Sequence, residues 1–137
     1  MATNDNKKLM QHIFAELSQG NAQPFMDSLA DDVVWKIMGT TKFSRTFHGK
    51  QAVINDLMRP LFAQFANTYT ATALRMIADD DQVVVEARGN ATTKAGKPYN
   101  NEYCWIYRIA DGKIKEITEY LDTELVTATF SASAAAP

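Results

Sequence analysis

The side chains able to do chemistry in this sequence are few, and most of them cluster in its second half. Glu119 is followed by Tyr120 and lies downstream of an aromatic run, Tyr99, Tyr103, Trp105 and Tyr107. A carboxyl placed in an aromatic pocket has its ionised form disfavoured, so its pKa rises. Near neutrality it becomes a competent general acid or base for enolisation, ring closure or epoxide opening. Glu86 and Arg88 stand two apart and so share one face of a strand, where the arginine fork could anchor a carboxylate or polarise a carbonyl. Asn101 and Tyr103 can donate to a ligand oxygen, and Trp35 and Trp105 can stack on a flat ligand. Each has a plainer alternative. Glu119 could pair with Arg88 as a structural ion pair, Glu86 and Arg88 could be solvated surface, and Trp35 could be core. His12 falls on the polar side of a helix, His48 in a loop, and Cys104 on the face opposite Trp105 as a packing residue.

Other chemistries have little to stand on. A lone cysteine excludes an internal disulfide framework and a multi-thiolate zinc site, and two histidines support no histidine-rich metal site. The expectation is therefore a chain with no metal and no cofactor. The net charge of -2 arises from 14 basic and 16 acidic residues, scattered without a basic block, which points away from nucleic acid. No apolar run approaches the ~18 residues of a membrane span, and the polar N-terminus has no signal core, so a cytoplasmic location is expected.

These side chains must be held by one domain, since 137 residues with 46% hydrophobic and 22% charged content suit a single core. The expected domain covers residues 1–130, with 131–137 a small, polar, disordered tail. Leu9, Met10, Ile13, Phe14 and Leu17 recur at helical spacing, with Asn4 or Asp5 as cap and Gly20 as stop. Asn21 caps a short second helix that carries Pro24 in its first turn and ends at Asp31 and Asp32. Residues 33–38 read as a strand, 39–46 as a loop over the mouth of the fold, and 49–65 as a third helix bent at Pro60. Residues 68–78, 82–94, 99–109 and 113–123 then form an antiparallel meander joined by short turns. Helices followed by such a meander make an α+β domain in which the sheet curls around the third helix.

Alternation along 99–109 puts Tyr99, Asn101, Tyr103, Trp105 and Tyr107 on one face, suited to line a pocket. A two- or four-residue turn at 95–98 sets Glu86, Arg88 and Asn90 on that same face. The last hairpin has two readings. A two-residue turn at Asp111 and Gly112 brings Thr118 and Tyr120 to the Trp105 face, whereas a three-residue loop from Ala110, with Gly112 as a bulge, brings Ile117, Glu119 and Leu121 there.

The stretches Gln19-Gly20-Asn21, Leu29-Ala30-Asp31-Asp32-Val33-Val34-Trp35 and Phe47-His48-Gly49-Lys50, with this order of elements, resemble the nuclear transport factor 2-like superfamily. Tyr99, Asn101 and Tyr103, then Asp111-Gly112-Lys113-Ile114 and Glu119-Tyr120-Leu121-Asp122-Thr123, resemble its SnoaL-like, ketosteroid-isomerase-related branch. The likeness spans residues 5–125. It implies a cone-shaped antiparallel sheet wrapped around helices, a cystatin-like α+β barrel with an internal pocket. It also implies a catalytic carboxylate at the Glu119 position, which selects the three-residue reading of the last hairpin. The superfold hosts enzymes, ligand binders and assembly modules alike. Against the ketosteroid isomerase pattern, Ile13, Lys36 and Trp105 stand where that family uses a tyrosine and two aspartates, so steroid isomerisation is disfavoured.

The function expected is binding of a small hydrophobic or aromatic, oxygenated molecule in an internal pocket, with cofactor-free acid/base catalysis of isomerase, cyclase or hydrolase type. The alternative is a non-catalytic ligand-binding or dimerisation module. A homodimer is expected through the outer sheet face, where Cys104, Ile106 and Ile114 leave apolar surface.

Overall fold

Helical periodicity in the first residues produces the first element of the computed structural model, which describes residues 2–130. Helix α1 (Ala2–Leu17) buries Met10, Ile13 and Phe14, with Leu9 and Leu17 packed against the core beside them. It begins earlier than Asn4 and Asp5 suggest. Both lie within its first turns, and the Thr3 hydroxyl ties the helix start to the Asp80 carbonyl at 2.8 Å. Gly20 ends the segment at φ +85°, where a side chain would be strained. The Asn21 side chain accepts the Gln23 N–H at 3.2 Å to open α2 (Gln23–Ser28). Strand β1 (Leu29–Ile37) follows without a gap, so Asp31 and Asp32 are exposed residues of an irregular strand rather than a helix end.

After the short strand β2 (Thr46–His48) come α3 (Lys50–Ala52), a π-helical segment (Val53–Met58) and α4 (Arg59–Phe62), which together form the third helix. Pro60 has no N–H and its ring crowds the carbonyl four residues back. The chain responds by widening its ladder: the Arg59 N–H bonds to the Ile54 carbonyl, five residues away. The helix then stops at Phe62, short of the expected Phe65.

Strands β3 (Thr70–Asp79), β4 (Gln82–Asn90), β5 (Glu102–Ala110) and β6 (Lys113–Leu121) form the expected antiparallel meander. The sheet order is β2-β1-β6-β5-β4-β3, with β1 parallel to β6 and β2 antiparallel to β1. The curved sheet does not close, because β2 and β3 are free edges. Helix α1 lies over β3 and β4, and the third helix lies toward β1 and β2.

One element was not foreseen. Helix α5 (Thr123–Phe130) is rich in β-branched residues, which argue against helix. Its signals are a cap and a spacing: Asp122 accepts the Leu125 N–H at 3.2 Å, and Val126 and Phe130, four apart, are both buried. Lys42 and Lys97 donate to the Phe130 and Ala128 carbonyls, tying down its C-terminal end. The tail expected at 131–137 lies outside the described residues.

Two registers decide which side chains meet. In the β4–β5 connection Thr93 and Lys97 are paired, and the loop between them is the three residues Lys94, Ala95 and Gly96, with Gly96 at φ +86°. Odd residues therefore face odd ones, Val85 with Trp105 and Ala87 with Tyr103. In the β5–β6 hairpin Ala110 pairs with Lys113, so the turn is the two residues Asp111 and Gly112, both at positive φ as a type I′ turn requires. The register then slips by one: Ile109 faces Ile114, but Arg108 faces Glu116, leaving Lys115 as an extra residue. Glu119 consequently stands opposite Trp105. The bulge lies in the strand and not in the loop. It also turns Ile114 inward, fully buried, so the outer sheet face lacks that residue. Cys104 and Ile106 do lie outward, half-buried, in rows that continue into Val84, Ile77 and Tyr120.

Candidate active site

Between the helices and the inner face of the sheet lies a cavity of about 310 Å³. Its wall is aromatic from several elements at once. Trp35 comes from β1, Tyr103, Trp105 and Tyr107 from β5, Phe62 from α4, and Phe43 from the loop before β2. The π-helical segment contributes Leu57 and Met58. Tyr103 and Trp105 stack with ring centroids 4.2 Å apart and planes 11° from parallel. Gly89 leaves the space these rings need, since a Cβ there would sit 2.8 Å from the Tyr69 hydroxyl and 3.1 Å from the Tyr103 ring.

Glu119 lines this cavity and is 5% exposed. Two indoles hold it: Trp105 Nε1 donates to Oε1 at 2.8 Å and Trp35 Nε1 donates to the same oxygen at 3.0 Å. Burial pushes the carboxyl up to about 7, and the Trp105 and Trp35 donors pull in the other direction by stabilising the charged form. Apart from tyrosines, it is the one ionisable side chain in the cavity wall among the described residues. Removing either donor, Trp105→Phe or Trp35→Phe, is expected to raise the Glu119 pKa further, read as an alkaline shift in a carboxyl titration followed by NMR. A shift toward acid would mean that water replaces the lost indole.

The sequence placed Glu119, Trp35, Tyr103 and Trp105 around one pocket, and the structure brings these four together. It does not bring Glu86 and Arg88. Both point outward, Glu86 beside Arg75 at 3.6 Å and Arg88 beside Glu102 at 3.8 Å. The three-residue loop at 94–96 reverses the parity expected of β4, and leaving these charges in water avoids a large desolvation cost. Arg88 is therefore no partner for Glu119, and the structural ion pair between them is ruled out.

Asn101 is also displaced from its expected role. It is fully buried and takes no place in the cavity wall. Its amide donates to the Tyr99 hydroxyl at 3.0 Å and the Asp122 carbonyl at 3.1 Å. Its oxygen accepts the Glu102 N–H at 2.7 Å and the Asp122 N–H at 3.1 Å. Asn101 clamps the start of α5 onto β5. Ile13 is core and Lys36 is exposed, so neither stands where an acid/base group could act, and Trp105 serves as a donor to Glu119.

One cavity tyrosine was missed. Tyr69 precedes β3 and stacks on Phe62 and Phe65, with centroids 5.5 and 5.9 Å away. Tyr107, which alternation along β5 puts on the Trp105 face, lines the cavity as that parity implies. Burial raises the pKa of Tyr69, Tyr103 and Tyr107 well above the ordinary phenol value and that of Tyr99 to about 12, so all four are donors at neutral pH. No group of three or more His, Cys, Asp or Glu able to hold a metal ion occurs among the described residues, and none of their helices is long and apolar enough to cross a membrane.

A family model, the SnoaL-like domain, matches residues 10–117. The chain belongs to the SnoaL-like family. The Dimerizing cyclase phiC of Fungal sp. (strain ATCC 74256) is 30% identical over 125 residues, covering 86% of this chain. The match takes in 55% of that relative, so the chain spans about half its length. Among solved structures, an NTF2-like protein of unknown function from Burkholderia pseudomallei superposes with a TM-score of 0.78 at 18% identity, over 93% of this chain and 98% of the other. TerC, co-crystallized with polyporic acid, superposes with a TM-score of 0.74 at 17% identity, over 90% and 95%. The likenesses to solved structures establish the fold.

Proposed function

We propose that this SnoaL-like domain binds a small hydrophobic, oxygenated molecule in its aromatic cavity and moves a proton on it through Glu119, as a cofactor-free cyclase or isomerase. The observation that carries this reading is the carboxyl itself, buried among aromatic rings with one oxygen pinned by two indoles and a pKa near 7. A group so poised is populated in both protonation states at neutral pH, which general acid/base catalysis requires. Pinning Oε1 leaves Oε2 to exchange the proton. With one carboxyl in the wall, the same group must take the proton and give it back, which suits a rearrangement or ring closure with no net change in protons. Hydrophobic walls hold the ligand, while the phenols of Tyr69 and Tyr103 are donors for its oxygens.

The first test is ligand binding. A library of flat ketones, lactones and aromatic acids should contain compounds that raise the melting temperature. A ligand at 100 times its dissociation constant adds about 2.7 kcal/mol of stability. Compounds that stabilise should also quench the fluorescence of Trp35 and Trp105. Hits that stabilise while leaving both indoles unaffected would place binding elsewhere and overturn the reading.

A further inference from the structure

Ionised, Glu119 puts a negative charge into the cavity wall that no described residue of that wall balances. Both indole N–H groups end on Oε1, and no described residue donates to Oε2. No described side-chain polar atom sealed from solvent lacks a hydrogen bond, so Oε2 opens onto the cavity. Other carboxylates do have cations: Asp32 has Lys115 at 3.0 Å, Glu116 has Arg108 at 2.8 Å, and Glu86 and Glu102 have Arg75 and Arg88. Those pairs stand in water, whereas Glu119 is buried and has none. The cations that could serve it are turned away. Lys36 on β1 and Arg88 on β4 are exposed, and Lys42, on the loop that brings Phe43, donates to the Phe130 carbonyl at 3.1 Å. The titratable groups that share the cavity with the carboxyl are phenols, Tyr103 and Tyr107 on β5, Tyr99 before it and Tyr69 before β3, all uncharged at neutral pH. The helices, β1, β3 and the remaining loops of the wall contribute no group that titrates.

A carboxylate walled by aromatic rings, with one oxygen free and no cation beside it, is the complement of a positive charge that is itself weakly hydrated. Aromatic faces attract cations, tryptophan most strongly, and the attraction grows where water is excluded. Alkyl groups on nitrogen leave an ammonium little hydration to lose, so it enters such a cavity at less cost than the strongly hydrated head of a lysine. We propose that the cavity is also a site for a small hydrophobic ammonium ion, quaternary or tertiary, whose nitrogen sits against Glu119 Oε2 with its apolar groups on the surrounding rings. A cavity of about 310 Å³ is at the small end for ligand sites, which suits one aromatic ring with a compact head group. The proposal goes beyond the acid/base reading and does not rest on it. It requires the ionised carboxylate and no proton transfer to the ligand.

The probes are benzyltrimethylammonium and neopentylbenzene, which share a shape and differ in charge, with binding followed by the fluorescence of Trp35 and Trp105. At pH 8 the cation should bind at least about 10-fold more tightly than its uncharged counterpart. Lowering the pH to 5 should weaken the cation toward the affinity of neopentylbenzene, because protonation of Glu119 removes the counter-charge. At pH 7, where the carboxyl is about half ionised, binding of the cation should release about half a proton, read by calorimetry in buffers of different ionisation enthalpy. Glu119→Gln should erase the preference between the two probes. Equal affinities at pH 8, binding of neither probe, or a preference that survives Glu119→Gln would overturn the proposal. Should that variant not fold, proton release by the wild type decides, and no release or an uptake overturns it. Failure of the acid/base reading looks different: turnover would persist in Glu119→Gln while the preference for the cation was still lost.

Discussion

Glu119→Gln is expected to lower turnover by about 10²–10⁴-fold while making the protein more stable at alkaline pH. The amide keeps the shape of the carboxyl and can still accept both indole N–H groups, but it cannot carry the proton. Its stabilising effect follows from linkage. The folded pKa lies at about 7, above the ordinary value of 4.5, so the folded chain binds more protons than the unfolded chain between those values. Stability from this group is complete below pH 4.5, falls as pH rises, and is lost above about 7. The ionised carboxyl thus costs about 3 kcal/mol at pH 8, and glutamine escapes that cost. For a domain of this size the difference corresponds to roughly 10 °C in melting temperature at pH 8, vanishing near pH 4. Denaturation of both proteins across that range checks it. Other carboxyls titrate equally in both, so the difference isolates Glu119. A gap that does not change with pH would mean that the carboxyl is solvated in the folded state. Retained turnover with the expected stabilisation would instead mean that another group carries the proton and that the Glu119 carboxyl only shapes the pocket. Stability given up at a working site is a common exchange for activity.

Asn101→Ala should have the largest effect on stability. The side chain satisfies the Asp122 N–H and carbonyl, the Glu102 N–H and the Tyr99 hydroxyl, all from full burial. Removing it strands several of these groups at about 1–3 kcal/mol each, so a total loss of roughly 3–5 kcal/mol is expected in chemical denaturation. The damage should also travel. Asp122 leads into α5, whose Val126 forms part of the cavity wall and whose Phe130 packs on Tyr99 at 4.8 Å. Loosening α5 admits water beside Glu119, and its pKa should fall toward the ordinary range. A destabilised variant with an unshifted Glu119 titration would show that α5 holds the fold together without sealing the site.

Much of the architecture was legible locally. The amphipathic spacing of Met10, Ile13 and Phe14, the four-strand meander and the aromatic face of β5 all follow from periodicity, which neighbouring residues determine among themselves. The motif around Leu29–Trp35 likewise resembled the nuclear transport factor 2-like superfamily, and that around Glu119–Thr123 its SnoaL-like branch. Helix α5 escaped because its β-branched residues carry little helical preference, and burial of Val126 and Phe130 against the second aromatic cluster outweighs it.

What the chain alone left open was which faces of β4 and β6 join β5. The side-chain period of a strand is two, so one extra residue in a loop or strand moves every side chain to the other face. The loop at 94–96 has three residues where two or four were expected, and this sends Glu86 and Arg88 to solvent. The Asp111–Gly112 turn has two residues, which by itself would have put Tyr120 inside. The extra residue at Lys115 restores Glu119, and Lys115 meets Asp32 of β1 at 3.0 Å beside that bulge. The bulge lies where β6 pairs with β1, a strand some eighty residues earlier, and β1 carries its own irregularity between Leu29 and Val34. No short-range pattern reports a slip shared between strands so distant in the chain. The sequence by itself determined the element types, the family and the aromatic lining. Tertiary pairing decided that the Glu119 carboxyl meets two indoles in place of an arginine, which pairs its Oε1 without bringing a second charge out of water.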